Sequence, residues 1–162
     1  MQLKDEAMMK IDRLLVAMDF SEAAYAALSQ GRQLAQVFGA TLHVLSIVTE
    51  PIDEPWGGFT PAPVFFATVG RLEAARRVHL AALFSETDLA SGRVVLATRW
   101  GEAADAIVEY AVTHEIELIV CGTHGRSGFS RFTEGSVAEQ IVRRAGCPVL
   151  TVHADNEKTP AA

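Results

Sequence analysis

Five short apolar runs punctuate the chain, and a stretch with helical spacing separates each run from the next. The runs are residues 13–18, 41–48, 93–98, 117–121 and 148–152. Each has the length of a strand. The first reads Arg-Leu-Leu-Val-Ala-Met and the fourth Glu-Leu-Ile-Val-Cys, apolar without alternation, which marks strands covered on both faces. Helices are predicted at 22–38, 65–88, 102–114 and 136–145. In the first, Ala24, Ala27, Leu28, Gly31, Leu34, Ala35 and Phe38 recur on one face. Asp19 or Ser21 caps its start and Gly39 ends it. Strict alternation of strands and helices dictates an α/β fold: a parallel sheet with crossover helices on both faces.

The remaining composition narrows the class. With 162 residues, 49% of them apolar and 21% charged, the chain can bury a true core. It is read as a single domain over 1–153, followed by a polar tail at 154–162. The net charge of -6 gives no overall field toward nucleic acid or an anionic membrane surface, and neither is expected as a partner. No apolar run approaches the ~20 residues that cross a bilayer. Cys121 and Cys147 form no CxxC pair, and the opening residues lack a signal-like apolar block. A cytoplasmic protein with reduced thiols is expected.

In an open α/β sheet, ligands bind beyond the carboxyl ends of the strands, where strand order reverses. The segment after the fourth strand is suited to this. It reads Gly122-Thr-His-Gly125-Arg-Ser-Gly128-Phe-Ser-Arg-Phe-Thr-Glu-Gly135-Ser136 and leads into a helix. Glycines let backbone amides approach an anion, and a helix start adds unpaired N–H groups. Arg126 and Arg131 bring positive charge. A purely structural loop is the competing reading, with Ser136 and Glu139 forming a capping box. The spacing is neither GxGxxG after the first strand nor the lysine-bearing P-loop. That argues against a dinucleotide oxidoreductase and a P-loop NTPase.

Gly122, two residues, Gly125, nine residues, Gly135 and Ser136 resemble the glycine signature of nucleotide-binding universal stress proteins. Ala17-Met-Asp19-Phe-Ser21 resembles that family's opening motif, Leu42-His43-Val44 its second strand and Cys147-Pro-Val-Leu150 its last. The resemblance spans about 12–153. It implies an open five-stranded parallel sheet in the order 3-2-1-4-5, Rossmann-like and of the adenine nucleotide alpha hydrolase type. It implies ATP along the carboxyl ends of strands one and four, with Mg²⁺ accompanying the phosphates; AMP and ADP share most of the cradle.

Carried over by position, Asp19 contacts the ribose or a metal-bound phosphate. Ala17 and Val44 border the adenine, and Cys121 and Gly122 pass beneath the nucleoside. Gly125, Gly135, Ser136 and Val137 hold the phosphates, with Arg126 beside them. The family carries apolar residues where Thr133 and Glu134 stand here, and an inward carboxylate there would repel a triphosphate.

The function these features imply is ATP binding that tunes conformation or partner choice in a stress response. The alternatives are a scaffold of the same fold that holds no nucleotide, and a slow ATPase. A homodimer through the last strand, Pro148 to Val152, is expected because that strand is apolar and lies at an edge in the sheet order the resemblance implies.

The other reactive side chains read plainly. Asp19 either contacts ligand or caps the first helix. His43 is a core histidine, and His124 either meets a ligand or bonds its own loop. His79, His114 and His153 show no zinc spacing, so no structural metal is expected. Both cysteines read as small core residues. Trp56 and Phe59, in the proline- and glycine-rich segment 50–63, form a lid or fold back on the domain. Arg71, Arg76 and Arg77 form a solvated helix face.

Overall fold

The computed structural model describes residues 10–49, 62–123 and 137–154. The chain begins with β1 (Arg13–Ala17), α1 (Glu22–Phe38) and β2 (Thr41–Val48), then α2 (Ala62–Ala81) and α3 (Glu86–Ala90). It continues with β3 (Val94–Trp100), α4 (Ala103–Thr113), β4 (Leu118–Thr123), α5 (Val137–Arg144) and β5 (Val149–His153). All five strands pair in parallel in the order β3-β2-β1-β4-β5. This is the doubly wound, Rossmann-like arrangement expected.

Right-handed crossovers explain the layering. The step from β1 to β2 to β3 moves one way across the sheet, and the step from β3 to β4 to β5 moves the other. Helices of the two halves therefore cover opposite faces. Leu14, Val16, Leu42 and Val44 pack with Ala24, Ala27 and Leu28 of α1 and Leu80 of α2. Their chain neighbours Leu15 and Leu45 pack instead with Ile107 and Tyr110 of α4 and Ile141 of α5. That is the two-residue period of a strand buried on both sides.

Local chemistry sets the ends of α1. Ser21 Oγ accepts from the Ala24 N–H at 3.2 Å, and Gly39 adopts a left-handed φ of 67° at the other end. Gly31 has a packing role. A Cβ there would lie 2.4 Å from Val16 Cγ2, so glycine is what lets α1 sit this close to β1.

Three expectations need correction. The helix expected over 65–88 is two helices: α2 ends at Ala81, and Ser85 opens the second. Its hydroxyl accepts from the Asp88 N–H at 3.1 Å, while the Asp88 carboxylate accepts from the Ser85 N–H at 3.1 Å. This reciprocal box starts α3. The described residues thus contain five helices rather than four. Pro63 belongs to the first turn of α2, where a missing N–H leaves nothing unpaired. Arg76 is not simply a solvated face residue: its guanidinium lies 5.7 Å from the centre of the Phe20 ring.

His43 does sit in the core, 7% exposed. Its Nδ1 lies 3.0 Å from the Tyr110 hydroxyl, and the Tyr110 ring stacks on His114 with centroids 3.8 Å apart. Burial lowers the His43 pKa to about 4, helped by His114 and Arg13. Glu117 joins the two sheet halves at their amino ends, accepting from the backbone N–H groups of Asp12 and Arg13.

Candidate functional site

The site is built where β1 and β4 stop. Val16 pairs with Val120, so Ala17, the last residue of β1, stands one level before Gly122, which β5 still pairs through Val152. The Met18 N–H makes a last bond to the Leu45 carbonyl at 2.8 Å before the chain turns into α1. The turn needs an unusual backbone. Phe20 has a φ of 65°, a left-handed conformation costing a side-chain-bearing residue about 1 kcal/mol. Several contacts hold it, the Arg76 guanidinium over the Phe20 ring among them. The Ser21 N–H donates to Asp19 Oδ1 at 2.9 Å, and the Phe20 ring meets His79 of α2 edge-on at 6.0 Å. Capping α1 thus falls to Ser21, with Asp19 bracing the capping residue.

Gly122 brings the second wall. A Cβ on it would lie 2.5 Å from the Ala23 carbonyl carbon and 2.7 Å from its oxygen. Only glycine lets the first turn of α1 press against the exit of β4. The β1–α1 turn and the end of β4 therefore share one crevice, at the point where strand order reverses. Thr123 follows, its Oγ1 lying 2.6 Å from His153 Nδ1 at the end of β5.

The predicted residues fall into four groups. Ala17, Asp19 and Gly122 border this crevice, and Asp19 is exposed to solvent. Val44 and Cys121 do not offer their side chains to it. Val44 is fully buried against the α1 face, and Cys121 is buried on the α4–α5 face, where burial pushes its thiol pKa up. Any contact from either is through backbone. Val137 opens α5 and is exposed. Gly125, Arg126, Gly135 and Ser136 lie outside the described residues, as do His124, Arg131, Thr133, Glu134, Trp56 and Phe59. Phe20, Thr123 and His153 were not anticipated. A phenylalanine carries no sequence signal for a left-handed turn, and Thr123 meets His153 only through the β4–β5 pairing.

The family model for universal stress proteins matches residues 10–153. The chain belongs to this family. A universal stress protein of Thermus aquaticus is 33% identical over 86% of this chain and 96% of its own length. One from Methanocaldococcus jannaschii is 48% identical over 52 residues, and that match spans 32% of this chain and 31% of the relative. Among solved structures, a universal stress protein from Lactobacillus plantarum superposes with a TM-score of 0.66 at 26% identity, covering 89% of this chain and 99% of that one. Another from Arabidopsis thaliana, solved with AMP bound, has a TM-score of 0.58 at 18% identity, covering 93% and 96%.

Within this universal stress protein the described part of the crevice offers the start of α1 and the Asp19 carboxylate. It holds no arranged acid–base pair among the described residues. No three His, Cys, Asp or Glu side chains converge among them to hold a metal ion. No described helix is long and apolar enough to cross a membrane. Cys147, like Cys121, is a free thiol whose pKa burial raises, as suits a packing residue.

Proposed function

We propose that this universal stress protein binds an adenine nucleotide in the β1–β4 crevice and acts through its nucleotide state in a stress response. The observation that carries the reading is the contact of Gly122 with Ala23. It sets the amino end of a 17-residue helix beside the exit of β4. That gives a positive helix end at the mouth of a glycine-rich segment, the chemistry of phosphate cradles. The AMP-bound Arabidopsis structure shares the fold and makes adenine the base to try first.

In this reading Asp19 meets the ribose or a Mg²⁺-bound phosphate. Backbone from Ala17, Val44, Cys121 and Gly122 borders the nucleoside. Gly125, Arg126, Gly135, Ser136 and Val137 hold the phosphates. ATP with Mg²⁺ is the proposed ligand, and Mg²⁺ serves as counter-charge to the phosphates. Turnover is slow or absent, since no side chain among the described residues at the crevice is set to position water. The protein acts in the cytoplasm as a homodimer paired through β5, an edge strand with Leu150 and Thr151 exposed.

Calorimetry on ligand-stripped protein tests this, with ATP plus Mg²⁺, then ADP and AMP. Gly135→Asp serves as the cradle variant, adding bulk and negative charge. Micromolar binding that the folded variant loses supports the proposal. A flat titration at millimolar ATP from folded wild type sinks it and favours the nucleotide-free scaffold, for which Glu134 speaks.

A further inference from the structure

Ser46 is fully buried in β2, and its hydroxyl has no hydrogen-bond partner among the described residues. Buried polar groups in native proteins are nearly always satisfied, so an unpaired one calls for a specific reason.

Its position suggests one. The β1–β2 ladder ends at Ala17 and Leu45. β2 then runs on through Ser46, Ile47 and Val48, paired only with β3 on its other side. Ser46 is therefore the first β2 residue past the end of β1, level with the turn that carries Asp19. It shares the sheet face of Leu42 and Val44, and its register partner Thr98 is a second buried hydroxyl residue.

The layout fixes which end of a nucleotide would meet it. β4 and β2 flank β1, about 10 Å apart at two strand spacings. With phosphates over the β4 exit, the nucleoside end extends over β1 toward β2. We infer that Ser46 Oγ is a specificity-determining contact for the nucleobase end of the ligand, its hydroxyl left unpaired until a ring nitrogen or exocyclic group meets it. The inference rests on the proposed nucleotide site.

Access comes from α2, which packs over β2 and β3 on this face. Among its described side chains only Leu80 is buried, while Val64 and Phe66 are 54% and 69% exposed. Near its start this helix is held chiefly by Phe65, which is partly buried, and so by less apolar surface than α1 commits. For the base to reach Ser46, the amino half of α2 has to yield, including the edge-on contact of Phe65 with Trp100 at 5.2 Å.

Ser46→Ala removes one atom and leaves the fold unstrained. Ligand-stripped wild type and Ser46→Ala are titrated with AMP, ATP and inorganic tripolyphosphate, and both are unfolded in urea. The inference expects Ser46→Ala to be at least as stable as wild type, to bind AMP and ATP about tenfold more weakly, and to bind tripolyphosphate unchanged. Wild-type affinity for AMP in the variant overturns it. Equal weakening of tripolyphosphate overturns it too, because the effect then runs through the phosphate cradle. So does a destabilised variant, whose lost hydroxyl must have had a structural partner. A wild-type titration flat for every adenine nucleotide overturns the nucleotide site itself, and this contact with it.

Discussion

His43 makes the stability of this protein depend on mild acid in a way one substitution can isolate. Its imidazole is 7% exposed, and its pKa falls from 6.5 to about 4 on folding. Between those values the unfolded chain binds a proton that the folded chain refuses. Stability therefore rises with pH across this window, and acid withdraws it. Lowering the pH from about 7 to about 5 removes about 2 kcal/mol through this group alone, most of the ~3 kcal/mol that the full shift allows. Carboxylates titrate over the same range, so the comparison must cancel them. His43→Gln keeps a polar partner for the Tyr110 hydroxyl, which lies 3.0 Å from His43 Nδ1, and cannot take up the proton. Urea unfolding of both proteins at the two pH values gives the double difference. Wild type should lose about 2 kcal/mol more than the variant. Parallel losses refute the argument, and a wild type that gains on the variant in acid means that a partner stabilises the charged ring.

Close packing gives a matched pair of glycine tests by thermal or urea unfolding. Gly31→Ala should destabilise by about 1–3 kcal/mol, because the new methyl would lie 2.4 Å from Val16 Cγ2. Gly70→Ala in α2 should stabilise by about 0.5–1 kcal/mol, since nothing lies within 4 Å and the helix gains. The same sign for both would mean that helix propensity, not the α1–β1 contact, governs position 31. Gly122→Ala should cost at least as much as Gly31→Ala, because its new atom meets the Ala23 backbone, and it should weaken nucleotide binding; a stable variant with wild-type affinity would remove Gly122 from the site. Leu150→Asp on β5 should convert the proposed homodimer to monomer in sedimentation analysis, and a wild type that already sediments as monomer, or a variant that stays dimeric, would remove β5 as the interface.

The sheet was legible because each strand is an uninterrupted apolar run, such as Leu14 to Val16, and each crossover has a helical face. The strand order came with the family resemblance, and the hydrogen-bonded order β3-β2-β1-β4-β5 agrees with it. What escaped depends on atoms far apart in sequence or on a signal hidden in a helix-like stretch. Ser85 and Asp88 carry a capping box, but alanines and leucines on both sides read as one continuous helix. Glu117 bonds the start of β1 across the fold, which no local pattern encodes. Gly122 was read from the glycine signature as passing beneath a nucleoside, and its close packing against Ala23 carries no local signal. Val44 lay in the right strand, but which way its side chain faces depends on register. Ser46 looked like an ordinary polar residue in a strand until its lack of a partner set it apart.

The placement of β1 has a consequence for the chain as it leaves the ribosome. β1 is made first, yet one of its two neighbours, β4, begins only at Leu118. While the middle of the chain is being synthesised, β1, β2 and β3 can form a half-sheet whose β1 edge has no partner. Leu14, Leu15 and Val16, all inaccessible in the finished protein, border that open edge. The nascent chain must hold this adhesive border for many seconds at ordinary elongation rates, within reach of chaperones and of its own neighbours on the same message. Completing the centre of the sheet is thus a late event in the protein's birth, and the candidate crevice, which needs both β1 and β4, comes into existence only then.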